Sequence, residues 1–133
     1  MALNEHIVHV KGISLESSHN GCNGKVLRPE YISKVKKIAK KNKAKLHLDG
    51  ARSWNAAHFL GIPISEMLKD FDLVSVCLSK GLGCPIGSMI VGSEKDIAQA
   101  RIYRKILGGT MRQTGIFSAC GLVALEDWQD HIE

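Results

Sequence analysis

Two stretches of the chain decide its fold: "HLDGARSWNAAHFLG", residues 47–61, and "LVSVCLSKGLGCPIGS", residues 73–88. Each opens as an apolar strand and stops abruptly at small residues, with a charged side chain at the point where the strand ends. Asp49 is that residue in the first stretch, and Lys80 is that residue in the second. A charge at the end of each of two strands marks a candidate functional site.

Strand-like and helix-like segments alternate around these two stretches. Such an order predicts an α/β fold, in which a mostly parallel sheet with right-handed crossovers carries helices on both faces in three layers. Only "KGLGCPIG" separates the third strand from the fourth, which is short for a parallel crossover, so the fourth strand is predicted to be antiparallel. The predicted strands are 9–18, 44–51, 72–79 and 87–93, and the predicted helices are 28–43, 53–61, 63–71, 94–109 and 114–132.

In open α/β sheets, ligands bind at the carboxyl ends of the parallel strands. His19, Asp49 and Lys80 each fall just past such an end. The pattern alone therefore predicts that these three side chains converge at one edge of the sheet.

Composition limits the classes of protein that the chain can belong to. Its 133 residues, 44% of them apolar, suit one domain with a core. No apolar run approaches the roughly 18 residues of a membrane span, and residues 1–12 lack the features of a signal peptide. A cytoplasmic protein with no membrane partner is expected.

The chain has four cysteines: Cys22, Cys77, Cys84 and Cys120. Their positions do not have the spacing of metal ligands, which predicts reduced thiols and no metal site.

The net charge of +5 raises the alternative of a nucleic-acid partner. Much of the excess lies in "KVKKIAKKNKAK", residues 34–45, where apolar residues recur at helical spacing and leave the lysines on the opposite face. Aromatic residues, which stack on bases, make up only 5% of the chain. A solvated helix face is favoured over a site for nucleic acid.

The residue types at the strand ends suggest a particular chemistry. A lysine that follows a buried strand is partly desolvated, and its neutral amine can form a Schiff base with an aldehyde; the alternative for Lys80 is a solvated loop lysine. Asp49 either caps a turn or holds the ring nitrogen of pyridoxal phosphate protonated. The guanidinium of Arg52 offers a planar fork to a carboxylate or phenolate oxygen. The His47 side chain leaves the strand on the same face as Asp49, and we expect His47 to hydrogen-bond Asp49.

The glycines of "KGLGCPIG" raise a nucleotide-binding loop as another alternative. They do not form a GxGxxG pattern, and the chain contains no GK[ST] sequence. That interpretation is not favoured.

Several spaced motifs resemble those of one family. "LESSHN", "HLDGAR..NA", "D.VSVCLSKGLG.PIGSM.VG", "AR..RK.LGG.MRQ.G" and "CGLVALE" occur in this order. Together they resemble the low-specificity threonine aldolases, pyridoxal-phosphate-dependent lyases with the aspartate-aminotransferase fold. The resemblance runs from about Leu15 to Glu126.

The resemblance implies a role for each matching residue. Lys80 would be catalytic and would bind the cofactor covalently, and Asp49 would pair with the pyridine nitrogen. Arg52 would hold the phenolate oxygen of the cofactor or the carboxylate of the substrate. His19 would lie near the β-hydroxyl of the substrate and act as the base.

Three further residues take roles from the same resemblance. Ser79 and Arg112 would contact the phosphate of pyridoxal 5'-phosphate, and Lys105 would lie near the phosphate, the substrate and the subunit interface. The implied reaction cleaves a small β-hydroxy amino acid, L-threonine or L-allo-threonine, to glycine and acetaldehyde. The implied assembly is a homo-oligomer, either a dimer or a tetramer.

The chain lacks parts that the family pattern includes. The phosphate-binding glycine/threonine loop, the histidine that stacks on the ring and the small C-terminal domain have no counterpart in residues 1–133. These residues are therefore expected to form a partial cofactor-binding large domain with little activity by itself. The alternative is a non-catalytic α/β module that acts as a binding or dimerisation partner.

Overall fold

The computed structural model describes residues 9–132, and a four-stranded sheet in the order β1-β2-β3-β4 runs through it. Most of the N-terminal segment considered above for a signal peptide lies outside the described residues. Among residues 9–132, no helix has both the length and the apolar character that crossing a membrane requires. The strands are β1 (Gly12–Glu16), β2 (Lys45–Gly50), β3 (Leu73–Cys77) and β4 (Ser88–Gly92); the helices are α1 (Pro29–Lys41), α2 (Ser53–Leu60), α3 (Ile64–Leu68), α4 (Glu94–Ile106), α5 (Gly115–Glu126) and α6 (Trp128–His131).

The pairing of the strands follows the predicted pattern. β2 is parallel to β1 on one side and to β3 on the other, with Glu16 opposite Asp49 and Asp49 opposite Ser75. β4 is antiparallel to β3, with Leu73 opposite Gly92. The predicted α/β fold, with a mostly parallel sheet and an antiparallel fourth strand, is confirmed.

Alternation of side chains along β2 separates the two faces of the sheet. Leu46 and Leu48 have no exposed surface and point to one face, where α1, α2 and α3 cover them. Burial of each leucine contributes about 1.5–3 kcal/mol. Lys45 points to the opposite face and forms an ion pair with Asp96 in the first turn of α4. Helices therefore lie against both faces of the sheet.

The predicted helix 114–132 is divided into α5 and α6. Asp127 leaves helical geometry at φ −121° and ψ 33°, and the turn brings the Trp128 ring to within 5.5 Å of the Trp54 ring, centroid to centroid. Residues 122–132 contain no glycine or proline, so nothing in the sequence predicts a break at Asp127. The tryptophan packing accounts for it.

Asp72 fixes the start of β3 against the start of β2. Its Oδ2 accepts the Leu46 N–H at 2.7 Å, and its own N–H donates to the Leu46 carbonyl at 2.8 Å. Its Oδ1 lies 2.8 Å from Lys36 Nζ on α1. Burial raises the pKa of Asp72, but the Leu46 N–H and the Lys36 ammonium together outweigh burial and hold that pKa below its ordinary value.

Replacement of Asp72 by alanine is expected to lower the free energy of unfolding by about 1–2 kcal/mol, because the partly buried Leu46 N–H loses its acceptor. Urea denaturation measures the change, and Asp130→Ala, at an exposed position on α6, is the matched control. Since folding lowers the pKa of Asp72, its stabilisation is present above the ordinary carboxyl pKa and is lost as the pH falls through the folded-state value. The difference in the free energy of unfolding between wild type and Asp72→Ala should therefore shrink on acidification. A difference that grows as the pH falls would contradict a lowered pKa of Asp72 in the folded protein.

Candidate functional site

A cavity of about 770 Å³ lies at the carboxyl edge of the parallel strands. The connections that follow β1, β2 and β3 all reach this edge because the three strands run in the same direction. Each connection, with the helix after it, contributes to the wall. The first contributes Ser18, residues 23–26 and Arg28; the second contributes Arg52, Asn55 and Phe59; the third contributes Lys80 and Gly81.

The wall of this cavity is strongly cationic. Lys25, Arg28, Arg52 and Lys80 line it, and no carboxylate does. None of the four forms an ion pair within residues 9–132. Arg52 is oriented by a hydrogen bond from its Nη2 to Asn20 Oδ1 at 3.1 Å. The cavity is therefore suited to an anionic ligand.

Lys80 enters the cavity from a tight loop after β3. Its carbonyl accepts the Gly83 N–H at 2.9 Å, and Gly83 has a φ of +68°, which favours glycine. A Cβ on Gly81 would lie 2.5 Å from Asn55 Oδ1. The glycines around Lys80 thus allow the loop to pack against α2, which brings Lys80 and Asn55 into one wall.

Asp49 lies at the end of β2, as predicted, but does not line the cavity. Its Oδ1 accepts the Ala51 N–H at 3.1 Å, and its Oδ2 has no partner among the described residues. His47 was expected to hydrogen-bond Asp49. Instead His47 Nδ1 lies 2.8 Å from Ser14 Oγ, which is opposite it in the β1–β2 ladder.

His19 follows β1 and lies beside the cavity wall rather than in it. Its Nε2 is 3.3 Å from Glu16 Oε2, and its Nδ1 is shielded from solvent with no hydrogen-bond partner among residues 9–132. The backbone of Gly21 lies close to the imidazole ring of His19, since a Cβ on Gly21 would be 3.1 Å from His19 Cε1. Glu16 thus orients the imidazole from one side, and residue 21 covers it from the other.

The remaining predicted residues are not part of the cavity wall. Ser79 is next to Lys80 in sequence, with its Oγ 3.4 Å from Cys77 Sγ. Lys105 is exposed near the end of α4, and Arg112 is exposed in the connection from α4 to α5. Their roles remain predictions.

Sequence analysis missed several residues of the cavity wall. Lys25 was assigned to a polar loop, residues 19–27, Arg28 to the start of the predicted helix 28–43, and Asn55 and Phe59 to the short predicted helix 53–61. A usable signal existed for the first two, because a connection after a parallel strand begins at the carboxyl edge of the sheet and a cation there is near the ligand. No such signal exists for Asn55 and Phe59, whose positions depend on how α2 packs.

A second cavity of about 660 Å³ lies on the far side of the Lys80 loop. Its wall is mainly apolar and comes from residues 81–85 and from α5. Cys84 and Cys120 both line it, and Cys84 Sγ lies 3.7 Å from the Cys120 carbonyl oxygen. Within the described part of the chain, no group of three or more metal-binding side chains comes together.

The family model described as Beta-eliminating lyase matches residues 2–133. The chain belongs to the beta-eliminating lyase family. It is 51% identical over 115 residues to low-specificity L-threonine aldolase 1 of Arabidopsis thaliana, which covers 86% of this chain and 32% of that protein. It is 42% identical over 122 residues to the low specificity L-threonine aldolase of Escherichia coli, covering 92% of this chain and 36% of that protein. The resemblance to threonine aldolases found in the sequence is thus confirmed, and the chain spans about a third of the length of these relatives.

Solved structures agree on the fold of this beta-eliminating lyase segment. A Listeria monocytogenes protein assigned as an L-allo-threonine aldolase superimposes with a TM-score of 0.83 at 23% identity, covering 90% of this chain and 34% of that one. A PLP-bound C-S lyase from Staphylococcus hominis superimposes with a TM-score of 0.58 at 19% identity, covering 91% and 31%. Family membership supports the dependence on pyridoxal 5'-phosphate that was expected from the sequence.

The residues present fit this cofactor. Pyridoxal phosphate carries an aldehyde, an anionic phosphate and a ring nitrogen that binds a proton. The cavity offers Lys80 as an amine among other cations, and Asp49 at the neighbouring strand end has an oxygen with no partner within residues 9–132. The donor set therefore matches the charges of the cofactor.

Gly50 is expected to be essential to the shape of this site. A Cβ there would collide with Ser53 Oγ and lie 3.0 Å from Val74 Cγ1. Gly50→Ala should therefore lower the free energy of unfolding by about 2–3 kcal/mol. Gly115→Ala, where a Cβ meets nothing within 4 Å, is the matched control and should change it by less than about 1 kcal/mol. Equal effects of the two substitutions in thermal or urea denaturation would show that Gly50 is not constrained by its contacts.

Proposed function

We propose that this chain is the cofactor-binding part of a cytoplasmic threonine-aldolase-type lyase. The reaction cleaves the Cα–Cβ bond of L-threonine or L-allo-threonine and releases glycine and acetaldehyde, which places the protein in threonine breakdown and glycine formation. The observation that carries the proposal is the cationic cavity with Lys80 in its wall, in a chain 51% identical to a threonine aldolase over 115 residues.

Lys80 and Asp49 are the proposed anchors of the cofactor. When bound, pyridoxal phosphate supplies an electron-poor ring that accepts charge as the Cα–Cβ bond breaks. Lys80 presents its amine in the cavity wall, where the aldehyde of the cofactor can reach it. Asp49 has one oxygen held by the Ala51 N–H, which leaves the other to keep the ring nitrogen protonated.

Arg52 is the proposed partner of an anionic oxygen, either the carboxylate of the substrate or the phenolate of the cofactor. One guanidinium nitrogen is committed to Asn20 at 3.1 Å, which limits rotation of the planar group. The remaining N–H groups can donate two parallel hydrogen bonds to a carboxylate. When it binds the carboxylate, Arg52 orients the amino acid, so that the bond to be broken is held in a fixed position relative to Lys80; when it binds the phenolate, it orients the cofactor ring.

His19 is the proposed base for the β-hydroxyl proton. A Glu16 carboxylate that accepts the Nε2 proton would leave Nδ1 as the acceptor nitrogen of the ring. Access of a hydroxyl group to Nδ1 requires Gly21 to move away from the ring. A base in position supplies on the order of 10²–10⁴-fold in rate.

Ser79, Arg112 and Lys105 complete the proposal at its periphery. Ser79 and Arg112 are assigned to the cofactor phosphate, and Lys105 to the substrate side of the site, on the family motifs alone. Because the cavity wall contains none of these three residues, we expect weak cofactor binding and low turnover by the isolated chain.

Borohydride reduction in the presence of pyridoxal phosphate tests the proposal. The cofactor should become irreversibly attached to one peptide, which mass spectrometry of a digest should identify as the one containing Lys80. Lys80→Ala should abolish the attachment, because the proposed imine forms on Lys80; Lys25, which lines the same cavity, should carry none.

Lys40→Ala is the matched control for this experiment, since Lys40 is exposed on α1 and lies outside the cavity wall. It should leave the attachment unchanged. Attachment that persists in Lys80→Ala at the wild-type level would contradict the role of Lys80.

Association with a second copy of the chain is the second candidate function. β4 pairs only with β3 among the described strands, and Ile90 and Val91 on it are about half exposed, at 54% and 49%. Ile102 and Ile106 on the neighbouring α4 are also exposed. Apolar side chains at a free strand edge favour pairing with another chain.

Sedimentation equilibrium tests this association. The wild-type chain should sediment as a dimer or a larger oligomer. Ile90→Lys should shift it towards monomer by placing a charge on the exposed edge strand. The matched control is Ile38→Lys on α1, where a side chain 57% exposed stands among lysines. A wild-type chain that is monomeric at all concentrations would contradict the proposed homo-oligomer.

A further inference from the structure

Two cations of the cavity wall, Lys25 and Arg28, have no part in the proposed function. Both belong to the connection between β1 and α1, and both line the same cavity as Lys80 and Arg52. The family motifs that identified the site did not assign a role to either residue. Their position raises the question of what they bind.

Backbone hydrogen bonds fix Lys25 in the wall. The His19 N–H donates to the Lys25 carbonyl at 3.2 Å, and the Lys25 N–H donates to the Cys22 carbonyl at 3.1 Å. Asn23 and Gly24 reverse the chain with φ values of +53° and +70°. The loop is therefore closed on itself at Lys25.

The backbone around Arg28 is anchored on both its N-terminal and its C-terminal side. The Leu27 N–H donates to Oγ of the buried Ser17 at 3.1 Å, which ties the preceding residue to the end of β1. The Arg28 carbonyl accepts the N–H groups of Tyr31 and Ile32 in the first turn of α1. The side chain thus starts from a backbone that is anchored to a strand and to a helix.

The charges of these two residues are not balanced by neighbours. Elsewhere in the fold, Lys36 pairs with Asp72, Lys45 with Asp96 and Lys69 with Glu66. Neither residue of the β1–α1 connection has such a partner within residues 9–132. Four cations around one cavity repel each other, and an anion that enters would relieve this repulsion.

We infer that Lys25 and Arg28 form an oxyanion subsite in the wall of the Lys80 cavity, which binds a phosphate or carboxylate group other than the one held by Arg52. The Arg28 guanidinium can donate two hydrogen bonds to such a group, and the Lys25 ammonium adds a compact positive charge. The anion has two sources: the phosphate of the cofactor, or an anionic group beyond the β-carbon of the substrate. This assignment of sources rests on the proposed function of the cavity, whereas the binding of an oxyanion does not.

Titration of the cofactor-free chain with inorganic phosphate, followed by amide NMR, tests the subsite itself. The double variant Lys25→Gln, Arg28→Gln should bind phosphate at least about tenfold more weakly, since it loses two charge-assisted contacts. The double variant Lys34→Gln, Lys37→Gln removes the same net charge from an exposed face of α1 and should bind as the wild type does. Unchanged affinity in the first variant, or an equal loss in both, would overturn the inference.

Two further titrations of the same variants distinguish the sources. If the cofactor phosphate occupies the subsite, the Lys25/Arg28 variant loses affinity for pyridoxal phosphate but keeps that for pyridoxal, which lacks the phosphate. If a substrate group occupies it, affinity for pyridoxal phosphate is unchanged. In that case the cofactor-loaded variant loses affinity for 3-hydroxyaspartate, with its second carboxylate, but not for threonine. No change in any of these affinities would overturn the assignment of both sources.

These results are independent of the test of the proposed function. Phosphate binding is measured without pyridoxal phosphate, and trapping on Lys80 is measured without added phosphate. Loss of phosphate affinity in the Lys25/Arg28 variant without trapping on Lys80 would leave the subsite standing and remove the lyase proposal. Unchanged phosphate affinity in the Lys25/Arg28 variant, together with trapping on Lys80, would remove the subsite and leave the lyase proposal standing.

Discussion

Parallel pairing of β1, β2 and β3 is the constraint on which the rest of the structure depends. Three strands that run in one direction must deliver their following connections to the same edge of the sheet. Burial of one face of β2 and β3, through Leu46, Leu48, Val74 and Val76, maintains this alignment. A shift of β2 by one residue would expose both leucines and turn Asp49 inward. The register of the core and the position of the site are therefore set together.

The charge of the cavity follows from this geometry. Each of the three connections brings one or two cations to the cavity wall, whereas Glu16 and Asp49, at the same edge, do not line it. Asp72 and Asp96 are held at the opposite edge, where they pair with Lys36 and Lys45. A wall with four cations and, among the described residues, no carboxylate gives the cavity its preference for anions. A phosphorylated cofactor and an amino-acid carboxylate both meet that preference.

Much of the fold could be predicted from the sequence because its signals are local. The apolar runs of β2 and β3, and the short connection that makes β4 antiparallel, are visible in a few consecutive residues. Asp49 and Lys80 could be placed at strand ends for the same reason. The division between α5 and α6 could not be predicted, since it depends on the packing of Trp128 against Trp54, two residues far apart in the chain.

The composition of the cavity wall was harder to predict than its location. Lys25 and Arg28 reach it through the closed path of the β1–α1 loop, which depends on contacts to Cys22 and Ser17. His47 was assigned to Asp49 because both leave one face of β2, but the β1–β2 register puts Ser14 beside it. Strand alternation predicts which face a side chain takes and leaves open which neighbour it meets there.

A map of amide NMR shifts on addition of pyridoxal phosphate tests the central claim most directly, because it reports which part of the chain the cofactor meets. We expect the changes to concentrate at the three connections after β1, β2 and β3, with the largest at Arg52, Asn55, Lys80 and Gly81. Changes centred on α5 and the second cavity, around Cys84 and Cys120, would contradict it. So would a spectrum that does not change at the carboxyl edge of the parallel strands.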